Sequence, residues 1–193
     1  SDFLSRMSHD IRTPMNAIIG MSTIGQMKIE DTPRVQDCFR KIDASSRYLL
    51  SLINDILDMS KIETGKMEIN SRKFNFAELY EEISSIIYPQ AVESMIGFEA
   101  RQIEPMEHYY VGDALRIKQI LMNLLSNALK FTPAQGKILV STREEKRTNG
   151  YAYVQITVED SGIGMSEEFK ERIFQPFEQE SAERARNKVG SGL

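Results

Sequence analysis

Two successive apolar stripes with heptad spacing constrain this chain more than any other feature in it. Leu4, Met7, Ile11, Pro14, Ile18 and Met21 follow alternating steps of three and four, the a and d positions of a packed helix. A break follows at Glu30-Asp31-Thr32-Pro33, where Asp31 or Thr32 can cap a new helix and Pro33 can take its first turn. The spacing then resumes at Val35, Cys38, Ile42, Ser45, Leu49, Leu52, Ile56 and Met59. Phe39, Leu50, Ile53 and Leu57 widen the second stripe beyond what one partner helix would cover. Residues 1–63 therefore read as a helical hairpin that becomes a four-helix bundle on dimerisation; a hairpin packed on its own downstream domain is the alternative. Pro14 removes a backbone donor inside the first helix and predicts a kink there.

Against this frame His9 is informative. With Leu4 at position a, His9 falls at f, the outermost position, so its imidazole faces water and the seam is filled by other residues. Asp10 beside it can hydrogen-bond one ring nitrogen, fix the tautomer, and stabilise charge as the other nitrogen attacks an electrophile. From this segment alone, an idle surface histidine is an equal reading.

At 193 residues the chain has room for one or two domains, at roughly 150 residues each. Its composition is 41% hydrophobic and 27% charged with a formal net charge of -4, which predicts neither a nucleic-acid partner nor membrane contact by this segment. Cys38 is the only cysteine, so an intrachain disulfide is ruled out and a reducing compartment is expected. No apolar run approaches the roughly 20 residues needed to cross a bilayer, and no secretory leader is seen.

Residues 64–73, which include Gly65, lose the heptad and read as a linker. Residues 74–193 read as mixed α and β. Helices are predicted over 76–95 and 116–130, the latter ended by Thr132-Pro133. Strands are predicted over 137–143 and 151–159, joined as a hairpin by a polar loop over 144–150. In the 116–130 helix, Ile117, Ile120, Leu121, Leu124, Leu125 and Ala128 form the expected buried stripe. Asn123, Asn127 and Lys130 share another face, where an amide oxygen could ligate Mg²⁺ and a lysine could neutralise phosphate. An ordinary solvated face would carry the same residue types. In the last strand, Ala152, Val154, Ile156 and Val158 alternate inward, and Asp160 continues their phase, so its carboxylate is expected to point inward at the strand's end. Such a carboxylate can accept a hydrogen bond from an exocyclic amine such as adenine's. Ser161-Gly162-Ile163-Gly164 then lets the backbone turn closely against a ligand. A polar stretch, read as a lid, leads to a second glycine pair, Gly190 and Gly192.

In this order the pieces resemble a two-component sensor histidine kinase of the HisKA type. Ser8-His9-Asp10-Ile11-Arg12-Thr13-Pro14 resembles the phosphoacceptor box, and Asn123 to Thr132, which includes Phe131, resembles the N box. Asp160-Ser161-Gly162-Ile163-Gly164 resembles the first glycine box, Phe174 to Phe177 the F box, and Gly190-Ser191-Gly192-Leu193 the start of the second glycine box. The likeness spans essentially the whole chain.

The resemblance implies α plus α/β architecture: a dimerisation and phosphotransfer hairpin, then a Bergerat-type α/β sandwich that binds ATP and Mg²⁺. It implies that ATP phosphorylates His9 with Asp10 assisting, and that a response-regulator receiver domain then takes the phosphoryl group. Thr13, one turn beyond His9, would by the same likeness orient water for dephosphorylating that partner, although a solvent-facing threonine before a proline is an equal reading. The likeness assigns Asn127 to Mg²⁺ with Asn123 beside it, Lys130 to the phosphates and Asp160 to adenine. Phe131, Gly162, Gly164, Gly190 and Gly192 would shape the nucleotide pocket. Similar ATP domains continue past the second glycine box, so a C-terminally incomplete catalytic domain is expected, in the cytoplasmic portion of a sensor. A non-catalytic docking module for a receiver domain is the competing reading. A chaperone- or topoisomerase-type ATPase fits worse, having no reason to place His9-Asp10 on an exposed heptad face.

Overall fold

The heptad stripes do become helices. A computed structural model of the protein describes residues 2–103 and 105–174, with side chains from residue 7 onward. The chain divides into two compact units, residues 1–68 and 69–193. In the first, α1 (Asp2–Met27) and α2 (Thr32–Glu63) pack along one another as a hairpin. Asp31, rather than Thr32, is the cap: its carboxylate accepts from the Arg34 amide at 3.1 Å, and Pro33 occupies the first turn, where no amide donor is needed. Near the closed end a Cβ added at Gly25 would lie 3.6 Å from the Cβ of buried Cys38, an ordinary contact that leaves room for close helix approach. Helix α1 runs on through Pro14, which is itself buried.

The stripe residues expected to exceed a two-helix interface do stand open. Phe39, Leu50, Ile53 and Leu57 are all exposed, Leu50 at 60%, and Ile19 of α1, outside the expected stripe, is exposed as well. An isolated hairpin thus leaves apolar surface in water on both helices.

The second unit is a two-layer α/β assembly. Its elements run β1 (Arg72–Asn75), α3 (Phe76–Glu93), β2 (Gly97–Ile103), β3 (Tyr109–Gly112), α4 (Ala114–Phe131), β4 (Lys137–Thr148), β5 (Tyr151–Asp160) and a single turn, α5 (Glu167–Lys170). Strands β1 and β3 pair antiparallel, and a three-stranded sheet has the order β2-β4-β5, with β2 parallel to β4 and β5 antiparallel to it. Leu79, Ile83, Ile87 and Ala91 of α3 and Leu121, Leu125 and Ala128 of α4 join Ile138 and Val140 of β4 in one core. Both helices start on side-chain caps: Asn75 accepts from the amides of Ala77 and Glu78, and Asp113 from that of Arg116. Among the described residues no helix is long and apolar enough to cross a membrane.

Three expectations are corrected. The polar stretch 144–148 is not loop but the outer half of β4, paired with β5 down to a two-residue turn at Asn149-Gly150. Both turn residues have positive φ, 51° and 80°, the conformation a tight hairpin requires. Ile120 and Leu124, expected in the core stripe of α4, are exposed, because only the narrower Leu121, Leu125 and Ala128 line meets the sheet. Strands β1, β2 and β3 are additional, and β1 begins inside the segment expected as linker.

Candidate functional site

Residues of chemical interest gather at two places, one in each unit. In the hairpin, helical geometry carries His9 outward as its f position requires: its side chain is 79% exposed, beside an Asp10 at 32%. His9 Nδ1 lies 3.2 Å from Asp10 Oδ1. An ionised carboxylate only accepts, so this contact places the neutral imidazole's proton on Nδ1 and leaves the Nε2 lone pair to solvent. Thr13 Oγ1 donates to the backbone oxygen of His9 at 3.1 Å, so the hydroxyl is turned back along its own helix. The next residue, Pro14, has no amide to offer the carbonyl of Asp10 four positions earlier, which loosens the helix just past the histidine.

In the second unit the site is built where α4 ends and β5 ends. Asn123, Asn127 and Lys130 all stand exposed on α4, with Leu121, Leu125 and Ala128 buried behind them. Lys130 Nζ lies 5.0 Å from the ring centroid of Phe131, which is 42% exposed. The Asp160–Gly164 turn closes against this helix end: the amide of Ile163 donates to the carbonyl of Phe131 at 3.2 Å. A Cβ at Gly162 would fall 2.5 Å from Asp160 Oδ1 and 2.7 Å from the Phe131 carbonyl oxygen, so no side chain fits there. Gly164 has φ +65°, which a side chain would oppose.

Asp160 departs from its expected inward aim. It is exposed, and its Oδ1 accepts from the amide of Gly162 at 2.8 Å, because the turn folds back within reach of the carboxylate. Periodicity did not disclose three neighbours. Thr132 is buried with no protein partner for its hydroxyl, Gly136 lies against it, and Ser161 bonds to Lys137. Their signal is non-local, since it arises only when the end of β5 is set beside the start of β4. Gly190, Gly192 and the F-box residues after Phe174 lie outside the described residues.

On the exposed face of α4, Asn123 and Asn127 offer amide oxygens and Lys130 an ammonium, groups able to hold a metal and phosphate oxygens. The close-fitting turn at Gly162 brings backbone against backbone, and the buried, unsatisfied Thr132 hydroxyl adjoins it. No cluster of three or more His, Cys, Asp or Glu able to hold a metal occurs among the described residues. Mg²⁺ carried by a nucleotide needs none, because phosphate oxygens and waters complete its shell around one or two protein ligands.

Comparison with known proteins bears on both places. Residues 1–65 match the family model of the His Kinase A (phospho-acceptor) domain. Residues 112–193 match that of the histidine kinase-, DNA gyrase B- and HSP90-like ATPases. The autoinducer 2 sensor kinase/phosphatase LuxQ of Vibrio vulnificus is 40% identical over 197 residues, covering 100% of this chain and 22% of that protein. The chain thus spans about a fifth of the length of the curated relatives it matches. Among solved structures, the catalytic domain of histidine kinase ThkA is 32% identical with a TM-score of 0.50, over 58% of this chain and 71% of that one. Histidine kinase ThkA in complex with response regulator protein TrrA is 28% identical with a TM-score of 0.62, over 93% of this chain and 51% of that one.

Proposed function

The chain belongs to the two-component sensor histidine kinases, and on that premise we propose that it autophosphorylates His9 from ATP and passes the phosphoryl group to an aspartate of a receiver domain. The observation that carries this reading is the His9–Asp10 pair, an exposed imidazole with a carboxylate on one ring nitrogen. Nε2 attacks the γ-phosphorus, the bond to the β,γ-bridging oxygen breaks, and ADP leaves. Asp10 retains the proton on Nδ1 and stabilises the ring as it becomes positive. Little covalent work is asked of the rest of the protein: positioning and charge neutralisation dominate phosphoryl transfer.

Asn127, with Asn123 beside it, suits a metal ligand, and Lys130 suits the phosphates. Mg²⁺, when bound with the nucleotide, neutralises developing charge on the phosphates. Asp160 is the acceptor for the adenine amine, with Phe131, Gly162 and Gly164 forming the walls. Thr13 would orient water for dephosphorylating the receiver after turning away from the His9 carbonyl. The exposed Ile19, Phe39, Leu50 and Leu57 support a second copy of the chain as the surface that completes a four-helix bundle. LuxQ is described as a kinase/phosphatase and ThkA was solved with a response regulator, which supports the same assignment here.

The test is transfer of radiolabelled γ-phosphate from ATP with Mg²⁺ to the wild type and to His9→Gln. Acid-labile, base-stable label on the wild type and none on the variant is expected. Label that survives His9→Gln, or none on the full-length wild type under any Mg²⁺·ATP condition, overturns the reading and leaves the docking module in its place.

A further inference from the structure

The turn that carries Asp160 is held from beneath by a side chain to which neither motif nor family comparison assigns a role. Ladder pairing between β4 and β5 ends with Ile138 opposite Asp160. One residue later Ser161 adds a further rung: its amide donates to the carbonyl of Lys137 at 3.0 Å, and its Oγ accepts from the amide of Lys137 at 2.8 Å. Lys137 is the first residue of β4, so this reciprocal pair fastens the turn to the rigid sheet. The space is reserved for it. A Cβ at Gly136 would lie 2.9 Å from Ser161 Oγ, 2.9 Å from the Pro133 carbonyl oxygen and 2.4 Å from Thr132 Cγ2. A residue larger than glycine at 136 would therefore displace the serine hydroxyl or the end of α4. The neighbouring backbone is also pinned, with Gly97 donating to Gly136 at 2.9 Å and Gln135 to Met95 at 2.7 Å.

The orientation of Asp160 follows from this clamp. Its Oδ1 is committed to the Gly162 amide at 2.8 Å, and Gly162 is placed by the residue before it. Fixing Ser161 therefore fixes which way the other carboxylate oxygen faces, in an exposed residue that would otherwise rotate freely. We propose that Ser161 is a positioning residue that presets the Asp160 carboxylate as an acceptor for an adenine amine and so sets the preference for adenine over guanine. The proposal rests on the reading of Asp160 as the adenine contact. Guanine presents a carbonyl oxygen where adenine presents its amine, and a held carboxylate repels it. A carboxylate freed to swing loses affinity for adenine without gaining any for guanine.

The experiment is equilibrium binding of ATP and of GTP, each with Mg²⁺, to the wild type, Ser161→Ala, Ser161→Thr and Asp160→Asn, with amide hydrogen exchange on the same proteins. Ser161→Ala is expected to weaken ATP about tenfold while leaving GTP unchanged, the scale of one lost hydrogen bond in positioning. Ser161→Thr, which keeps the hydroxyl, is expected to restore ATP binding. Exchange at Lys137 should speed up in Ser161→Ala, while Val140 and Thr157 in the middle of the sheet stay protected and show that the fold is intact. Wild-type ATP affinity in Ser161→Ala, with binding lost in Asp160→Asn, overturns the positioning role and leaves the adenine contact standing. An Asp160→Asn protein that binds ATP normally overturns the adenine contact and the positioning role with it. Equal losses in the alanine and threonine variants also sink the proposal, because the hydroxyl would then not be the cause.

Discussion

Gly162 occupies a position where the backbone of one element touches the backbone of another, and one methyl group is enough to separate them. Its absent Cβ would sit 2.5 Å from Asp160 Oδ1 and 2.7 Å from the carbonyl oxygen of Phe131, and the carbonyl cannot move without unwinding the end of α4. Gly162→Ala is expected to lower ATP affinity at least about tenfold and to cost roughly 1–3 kcal/mol of stability, the usual range for overpacking. Isothermal titration and thermal unfolding would check both, and an alanine variant with wild-type affinity would refute the steric account. The glycine was legible in the sequence because a turn motif marks it. Gly136 and Ser161 were not, because their meaning depends on Lys137 and Thr132, which only the paired strands bring alongside. The outward histidine was legible for the opposite reason, since helical phase alone decides it.

Helix α4 shows how far periodicity reaches at the level of an element. Two residues of the same chemistry sit side by side, yet Leu125 is 0% exposed and Leu124 is 48% exposed. Leu125→Ala is expected to cost roughly 2–5 kcal/mol, and Leu124→Ala within about 0.5 kcal/mol, in denaturant unfolding followed by circular dichroism. Similar losses at both would mean that another surface covers Leu124. The apolar pattern located the helix but overstated its buried width, since a sheet on one side covers only part of the stripe. Strands β1 and β3 escaped notice because they are four residues each and exposed or half-buried, and their residue types, Arg-Lys-Phe-Asn and Tyr-Tyr-Val-Gly, do not alternate between apolar and polar. The outer half of β4 escaped because Glu144, Glu145, Lys146 and Arg147 carry loop-like chemistry, and cross-strand pairing overrides their low strand propensity.

Across the whole molecule, charge sets how stability depends on acidity. Among the described residues four carboxylates are held below their ordinary range: Asp37 by Lys41, Glu99 by Arg101, Asp113 chiefly by the Asn70 and Arg116 amides, and Glu144 by Arg147 with help from Tyr110. A depressed folded-state value means that the unfolded chain takes up protons first. The stability from these groups is complete above the unfolded carboxylate value of about 4 and is lost as pH falls through the lower folded values. Asp55 works the other way, because burial and the charge of Asp58 raise it, so acid relieves part of its cost. The net expectation is a denaturation midpoint that holds from neutral pH to about 5 and drops below about 4, with a shallower drop in Glu144→Gln. A midpoint that rises on acidification would show Asp55 outweighing the other four.

The parallel pairing of β2 with β4 has a temporal consequence. Gly97 stands opposite Lys137 with all of β3 and α4 between them in the chain, whereas β4 meets β5 across a two-residue turn. The hairpin can close from neighbours; β2 can join only after a long loop has given up its freedom. The β4–β5 hairpin is therefore expected to close before β2 joins its other side, and the strand expected to arrive last is the one expected to leave first.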